Sequence, residues 1–319
     1  RDWSSDVCSS DLLSGNFTYK LTKTEKMSTD PSTILVPIDF NEQSIHALER
    51  SQVTAPFLGL DIVLLYVYEE NGFTSSLISS STIDIMIQEK LDQAAEEIIQ
   101  KSRIDVTTCI RKGKVYAEIL KAAEEFKSKF ILMGTNNSSE NIRMSKNTIG
   151  SNTLKVVRQS SIPVITINGK EVTRFVHNIL LPLDLTKETR QKVTNAIDVA
   201  KAFGAGINVV SVLWSKNNKD LKEELLQQLN QVKWFIEEQN IRCESELLES
   251  SGGEKMLVPK LLEFVDLKGN IDLIMIMTQQ ENKLVEYFLG SAAQSIIRMS
   301  KVAVMTVTPD RIGYEQPIF

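Results

Sequence analysis

Two short stretches hold the residues whose types and spacing could do chemistry. The apolar run Phe130-Ile131-Leu132-Met133 ends at Gly134, and Gly150-Ser151-Asn152 opens what reads as a helix. Phosphate groups are held by backbone N–H donors, helix N-termini and hydroxyls. Glycine lets the backbone approach such a ligand closely. A helix that opens on Gly-Ser turns its first N–H groups and a hydroxyl toward the same place. Asn137 lies in the intervening loop, and asparagine is the best non-glycine substitute in a left-handed conformation. The second stretch is Ile34-Leu35-Val36-Pro37-Ile38, which ends at Asp39. A strand-end aspartate there either meets a ligand or caps the next helix; the two roles are compatible.

The elements that must position these residues occur twice. Ile34 to Phe40 recurs as Ile179 to Leu185, so that Asp184 answers Asp39. Leu58-Gly59-Leu60-Asp61 followed by Ile62 to Val67 matches Phe203-Gly204-Ala205-Gly206 followed by Ile207 to Val212. In each, a helix stops at a glycine and a buried strand follows. Helical stretches at 83–102 and 220–240 come next, then strands near 104–111 and 241–249. A further helix, a continuous apolar run, a loop with Gly-Ser, a helix and a last strand complete each copy. Strands that alternate with helices of this length imply right-handed crossovers and a parallel sheet. Continuous apolar runs fit strands covered on both faces. The expected fold is α/β: two tandem doubly wound five-stranded parallel sheets, Rossmann-like in plan. Asp39, Asp184 and the glycine loops fall at strand carboxyl ends, where such sheets bind ligands.

The expected boundaries are 32–170 for the first domain and 171–319 for the second. Residues 1–31 are polar and aperiodic, with Met27 placed like a natural start. They read as a disordered or non-native leader. The last strands, around Val164-Ile165 and Val302-Ala303-Val304, are apolar and should lie at sheet edges that invite pairing. Domain pairing within the chain through these strands is therefore expected, with room for a further homo-oligomer.

Both copies resemble the universal stress proteins, from about Ser32 to Pro309. Members have a first strand ending in aspartate and a loop written Gly-x2-Gly-x9-Gly-Ser/Thr after the fourth strand; those with the loop bind ATP. Gly134-Thr135 followed by Gly150-Ser151-Asn152-Thr153 is similar to that segment, as is Gly290-Ser291-Ala292 in copy two. The resemblance implies ATP or AMP as ligand of the first domain only. Its site would comprise Asp39 near adenine and ribose, Val67 contacting adenine through its backbone, Gly134, Asn137, Gly150, Ser151 and Asn152. Fifteen residues separate Gly134 from Gly150, three more than in the family pattern. Copy two keeps the family spacing but has Met277 and Gln280 in place of the leading glycines. The first loop carries Glu140, Arg143 and Lys146, net positive; the second carries Glu281, Glu286 and Lys283, net negative toward an anion.

Other function classes are disfavoured. The formal net charge of −5 and the lack of a Lys/Arg cluster argue against a nucleic-acid binder. No apolar run reaches the length of a membrane helix, and an odd count of three cysteines suits a reducing, cytoplasmic setting. No Ser/Cys–His pair, carboxylate pair or lysine-bearing phosphate loop stands out, so an enzyme is not expected. The leading expectation is a stress-response or signalling protein with an adenine nucleotide in the first domain. A nucleotide-free structural or interaction module and a weak ATPase are the alternatives. Phe126, Met275 and Trp234 are expected in the core, and charge runs such as Glu96-Glu97 on solvated helix faces. With neither disulfide nor metal expected, adding reductant or chelator should leave the melting temperature within about a degree; a fall of several degrees with chelator would reveal a metal site.

Overall fold

A computed structural model of the chain describes residues 5–11, 16–21, 32–69, 80–135, 149–168, 175–184, 189–213, 219–251, 253–280, 287–288 and 290–308. It divides into two compact units, Arg1–Arg174 and Phe175–Phe319.

In the first unit the order is β1 (Ser5–Asp11), β2 (Asn16–Leu21), β3 (Thr33–Pro37), α1 (Glu42–Leu58), β4 (Asp61–Tyr68), α2 (Ser80–Ser102), β5 (Val106–Lys112), α3 (Val115–Glu125), β6 (Ser128–Gly134), α4 (Ser151–Gln159) and β7 (Val164–Ile167). The strands β5-β4-β3-β6-β7 lie side by side in that order, all parallel. Ile34, Leu35 and Val36 of β3 are fully buried, as a central strand covered on both faces requires. Asn41 caps α1, its side chain accepting from the Ser44 N–H at 2.7 Å. At the other end Gly59 takes φ +66, a left-handed stop that glycine adopts without steric cost.

The second unit repeats this plan with β8 (Asn178–Pro182), α5 (Thr189–Phe203), β9 (Gly206–Leu213), α6 (Lys219–Glu237), β10 (Cys243–Glu249), α7 (Leu257–Lys268), β11 (Leu273–Met277), the short β12 (Gln279–Gln280) and β13 (Tyr287–Phe288), α8 (Ser291–Met299) and β14 (Ala303–Val307). Here the parallel order is β14-β11-β8-β9-β10. In both units the first strand sits between the second and the fourth. The chain leaves it in opposite directions, so the carboxyl ends of the first and fourth strands mark the switch point at which such sheets bind ligands. The doubly wound five-stranded parallel sheet read from the sequence is the core of each unit.

The leader contributes two strands, and one expectation, on Trp234, is corrected. Its strands β1 and β2 pair antiparallel, and β2 joins β5 antiparallel, with Phe17 opposite Ile110. The outer edge of a five-stranded sheet presents unpaired N–H and C=O groups that accept another strand, and tail composition says nothing of such an edge. Trp234 is 62% exposed. The buried stripe of α6 runs through Leu229, Val232 and Ile236; Trp234 lies two residues from each of the last two and so faces the opposite way. Met275 is in the core, Phe126 is half-buried, and Glu96-Glu97 are exposed.

The end of β6 fits closely against α1. A Cβ built on Gly134 would lie 2.8 Å from Gln43 Cβ and 2.9 Å from its carbonyl carbon. Backbone cannot yield there as a flexible side chain would. Gly134→Ala should therefore cost about 1–3 kcal/mol, the usual scale of overpacking, read by urea unfolding followed by circular dichroism. A cost below about 0.5 kcal/mol, the range of neutral surface changes, would show that α1 is free to move away.

Candidate functional site

At the end of β3 the chain makes a turn built around Asp39. Its two carboxylate oxygens accept from the Asn41 backbone N–H at 3.1 Å and the Asn41 side-chain amide at 2.9 Å. Asp39 thus braces the residue that caps α1. The turn is tied to β4 by the Ile38 N–H, which donates to the Leu65 carbonyl at 2.9 Å. Phe40 sits at φ +61, an uncommon conformation for a bulky residue that costs of order 1 kcal/mol and persists where surroundings enforce it. The enforcing neighbours are Tyr66, stacked on the Phe40 ring at 5.9 Å, and Lys90, whose Nζ lies 5.6 Å above that ring. Burial pushes the Tyr66 hydroxyl above its ordinary pKa, and the Asp39 charge adds to this.

Across the crevice, β6 and α4 meet through their backbones. The Gly150 N–H donates to the Thr135 carbonyl at 2.7 Å, and the buried Thr153 hydroxyl donates to the Gly134 carbonyl at 3.2 Å. The Thr135 hydroxyl lies 2.8 Å from Gln43 Oε1 and 3.1 Å from Asn168 Oδ1. One polar brace therefore links α1, the end of β6 and the end of β7. Helix α4 opens on Gly150 with no side-chain cap, and the N–H groups of a first turn have no acceptor within the helix. The positive end of the helix dipole thus lies beside Gly134.

Of the residues singled out from sequence, Gly134 and Gly150 meet at this brace, and Ser151 and Asn152 follow in the first turn of α4. Asp39 stands at the head of β3 on the same side of the sheet, and Val67 lies in β4, half-buried and opposite Arg111. Asn137 lies outside the described residues. Sequence reasoning missed Phe40, Tyr66, Gln43 and Thr135. It also missed a polar group at the ends of β4 and β5: Tyr68 donates to Asp84 at 2.6 Å, and Lys112 pairs with Asp84 at 3.1 Å. Burial first, then the hydrogen bond to Asp84, pushes the Tyr68 hydroxyl up to about 12. The one available signal was Tyr66 and Tyr68 placed two apart at the end of an apolar strand, hence on one face.

The crevice of the second unit has other chemistry. Here the strand-end carboxylate, Asp184, pairs with Lys192 of α5 at 3.1 Å. Met277 stands where the first unit has Gly134. Thr278, the counterpart of Thr135, is fully buried, and its hydroxyl has no hydrogen-bond partner among the described residues. A cavity of about 430 Å³ opens at the strand carboxyl ends, walled by residues such as Leu183, Leu225, Leu261, Met275 and Met277, with Gly290 and Ala293 of the α8 start on one side.

Among the described residues no group of three His, Cys, Asp or Glu side chains is placed to hold a metal ion. No helix there is long and apolar enough to cross a membrane. Cys109 and Cys243 are buried and in no disulfide, and burial pushes the Cys243 thiol up to about 12.

Similarity to known proteins runs along the two units. A universal stress protein of Methanocaldococcus jannaschii is 27% identical over 153 residues, 44% of this chain and 85% of that protein. The crystal structure of a universal stress protein from Archaeoglobus fulgidus matches 88% of this chain and 97% of its own, with a TM-score of 0.64 at 21% identity. A functionally unknown protein from Pseudomonas aeruginosa matches 88% of this chain and 93% of its own, with a TM-score of 0.62 at 17% identity; at such identities these two likenesses speak for the fold alone. The model of the universal stress protein family matches residues 31–168 and again 176–308. With both crevices built on the same doubly wound plan and the family pattern met twice, the chain belongs to the universal stress protein family.

Proposed function

We propose that the first unit binds an adenine nucleotide, ATP or AMP, in the crevice between β3 and β6, and that the chain serves as a cytoplasmic stress-response or signalling module. The observation that carries this reading is the helix α4 start, which opens without a side-chain cap beside Gly134. It offers first-turn N–H groups and a dipole to an anion. Because the Gly150 N–H is engaged by Thr135, the phosphates would meet the N–H groups after it, with the Ser151 hydroxyl beside them. Adenine and ribose would lie toward Asp39 and the Val67 backbone. The second unit takes no nucleotide: a methionine stands in the glycine position, and the Lys192 ammonium is already paired.

One observation favours a second reading, a nucleotide-free interaction module. Two groups expected to meet the ligand, the Gly150 N–H and the Asp39 carboxylate, are used within the fold.

Calorimetric titration of ATP decides between them. The unmutated chain should bind in the first unit. Gly150→Val, which sets a branched side chain at the opening of α4, should weaken binding by about 2 kcal/mol or more, the scale of lost charge-assisted hydrogen bonds. Gly290→Val, the same change at α8, should leave ATP binding as it was. Equal loss in both variants would place nucleotide in the second unit as well. No heat and no co-purifying nucleotide from the unmutated chain would overturn nucleotide binding and favour the interaction-module reading.

A further inference from the structure

From the cavity of the second unit we infer a binding site for a small, uncharged, mainly apolar molecule with one hydrogen-bonding end. Three observations set this chemistry. The first is size: about 430 Å³ holds roughly 20–25 non-hydrogen atoms at the packing density of protein interiors. That is within the range of pockets that take up small ligands. The second is the wall, which is leucine, valine, isoleucine and methionine contributed by β8, β9, β11 and the helices above them. Met275 and Met277 are unbranched and polarisable, and adapt to irregular apolar shapes.

The third is the polar end. It consists of Asp184 and Lys192, 3.1 Å apart, with the Lys192 side chain 12% exposed and that of Asp184 46% exposed. The pair offers both an acceptor and a donor and has no net charge. A hydroxyl, amine or amide group can donate to the carboxylate or accept from the ammonium without disturbing the pair. A carboxylate or phosphate head would have to break it, leaving Asp184 as a like charge beside the ligand. The Thr278 hydroxyl is buried with no hydrogen-bond partner among the described residues, whereas Thr135 reaches Gln43 and Asn168; Glu188, the counterpart of Gln43, lies outside the described residues. The inference rests on the second unit alone and stands or falls apart from nucleotide binding in the first.

N-phenyl-1-naphthylamine is a fitting probe: it is neutral and apolar, has a single N–H, and brightens when it leaves water. Titrated into the full chain, it should give a saturable rise with one site per chain. Ala293→Trp fills the cavity from the α8 side and should weaken binding at least ten-fold; Ala293→Leu, a milder filling, is read instead if circular dichroism shows the tryptophan variant unfolded. Trp234→Ala removes the exposed aromatic on α6 and should leave binding unchanged. No saturable rise in the unmutated chain, full binding by a folded cavity-filled variant, or loss of binding in Trp234→Ala would each overturn the inference.

Discussion

The crevice of the first unit depends on the absence of one carbon atom. At Gly134 the end of β6 lies so near α1 that a Cβ would sit 2.8 Å from Gln43 Cβ. That approach brings Gln43 Oε1 to the Thr135 hydroxyl, which also reaches Asn168. The Thr135 carbonyl in turn fixes the Gly150 N–H and so the start of α4. Strand end, first helix and phosphate-side helix are positioned as one polar assembly. Glycine is required here for space, since no left-handed backbone angle is involved.

In the second unit that constraint is relaxed. Its strands keep the same order and parallel register, because sheet topology is set by apolar runs and crossovers rather than by the crevice. At the strand end Met277 carries a long side chain where Gly134 has none, and it lines the cavity. The space between is lined by aliphatic side chains instead of a hydrogen-bonded brace. The two crevices thus differ in lining and polarity, while the hydrophobic core beneath, including Ile179, Leu180 and Ile274, stays intact. Duplication supplies two scaffolds, and the residues at the strand ends set what each can hold.

Much of this was legible in the sequence. Apolar runs ending in Asp39 and Asp184, helix stops at Gly59 and Gly204, and the Gly-Ser helix starts are local signals, and they located the elements and the strand ends. Less legible were contacts between elements far apart in the chain. The Phe40–Tyr66 stack, the Gln43–Thr135–Asn168 brace and the Asp184–Lys192 pair have no period and no fixed spacing. The glycine at 134 pointed to a phosphate approach, whereas its present neighbour is the backbone of Gln43. Trp234 was misread because its residue type outweighed its place on the α6 face. The strands of the leader escaped because pairing depends on the open edge of β5, which a tail's own composition does not reveal.

Two crevices of one fold should therefore hold two unlike ligands. Titrating ATP and N-phenyl-1-naphthylamine together, with each bound stoichiometry measured, tests this most directly. The expected result is one of each per chain, with saturating ATP shifting the affinity for the dye by less than about two-fold, a coupling well below the usual allosteric range. Displacement of the dye by ATP, or two ATP molecules per chain, would contradict it.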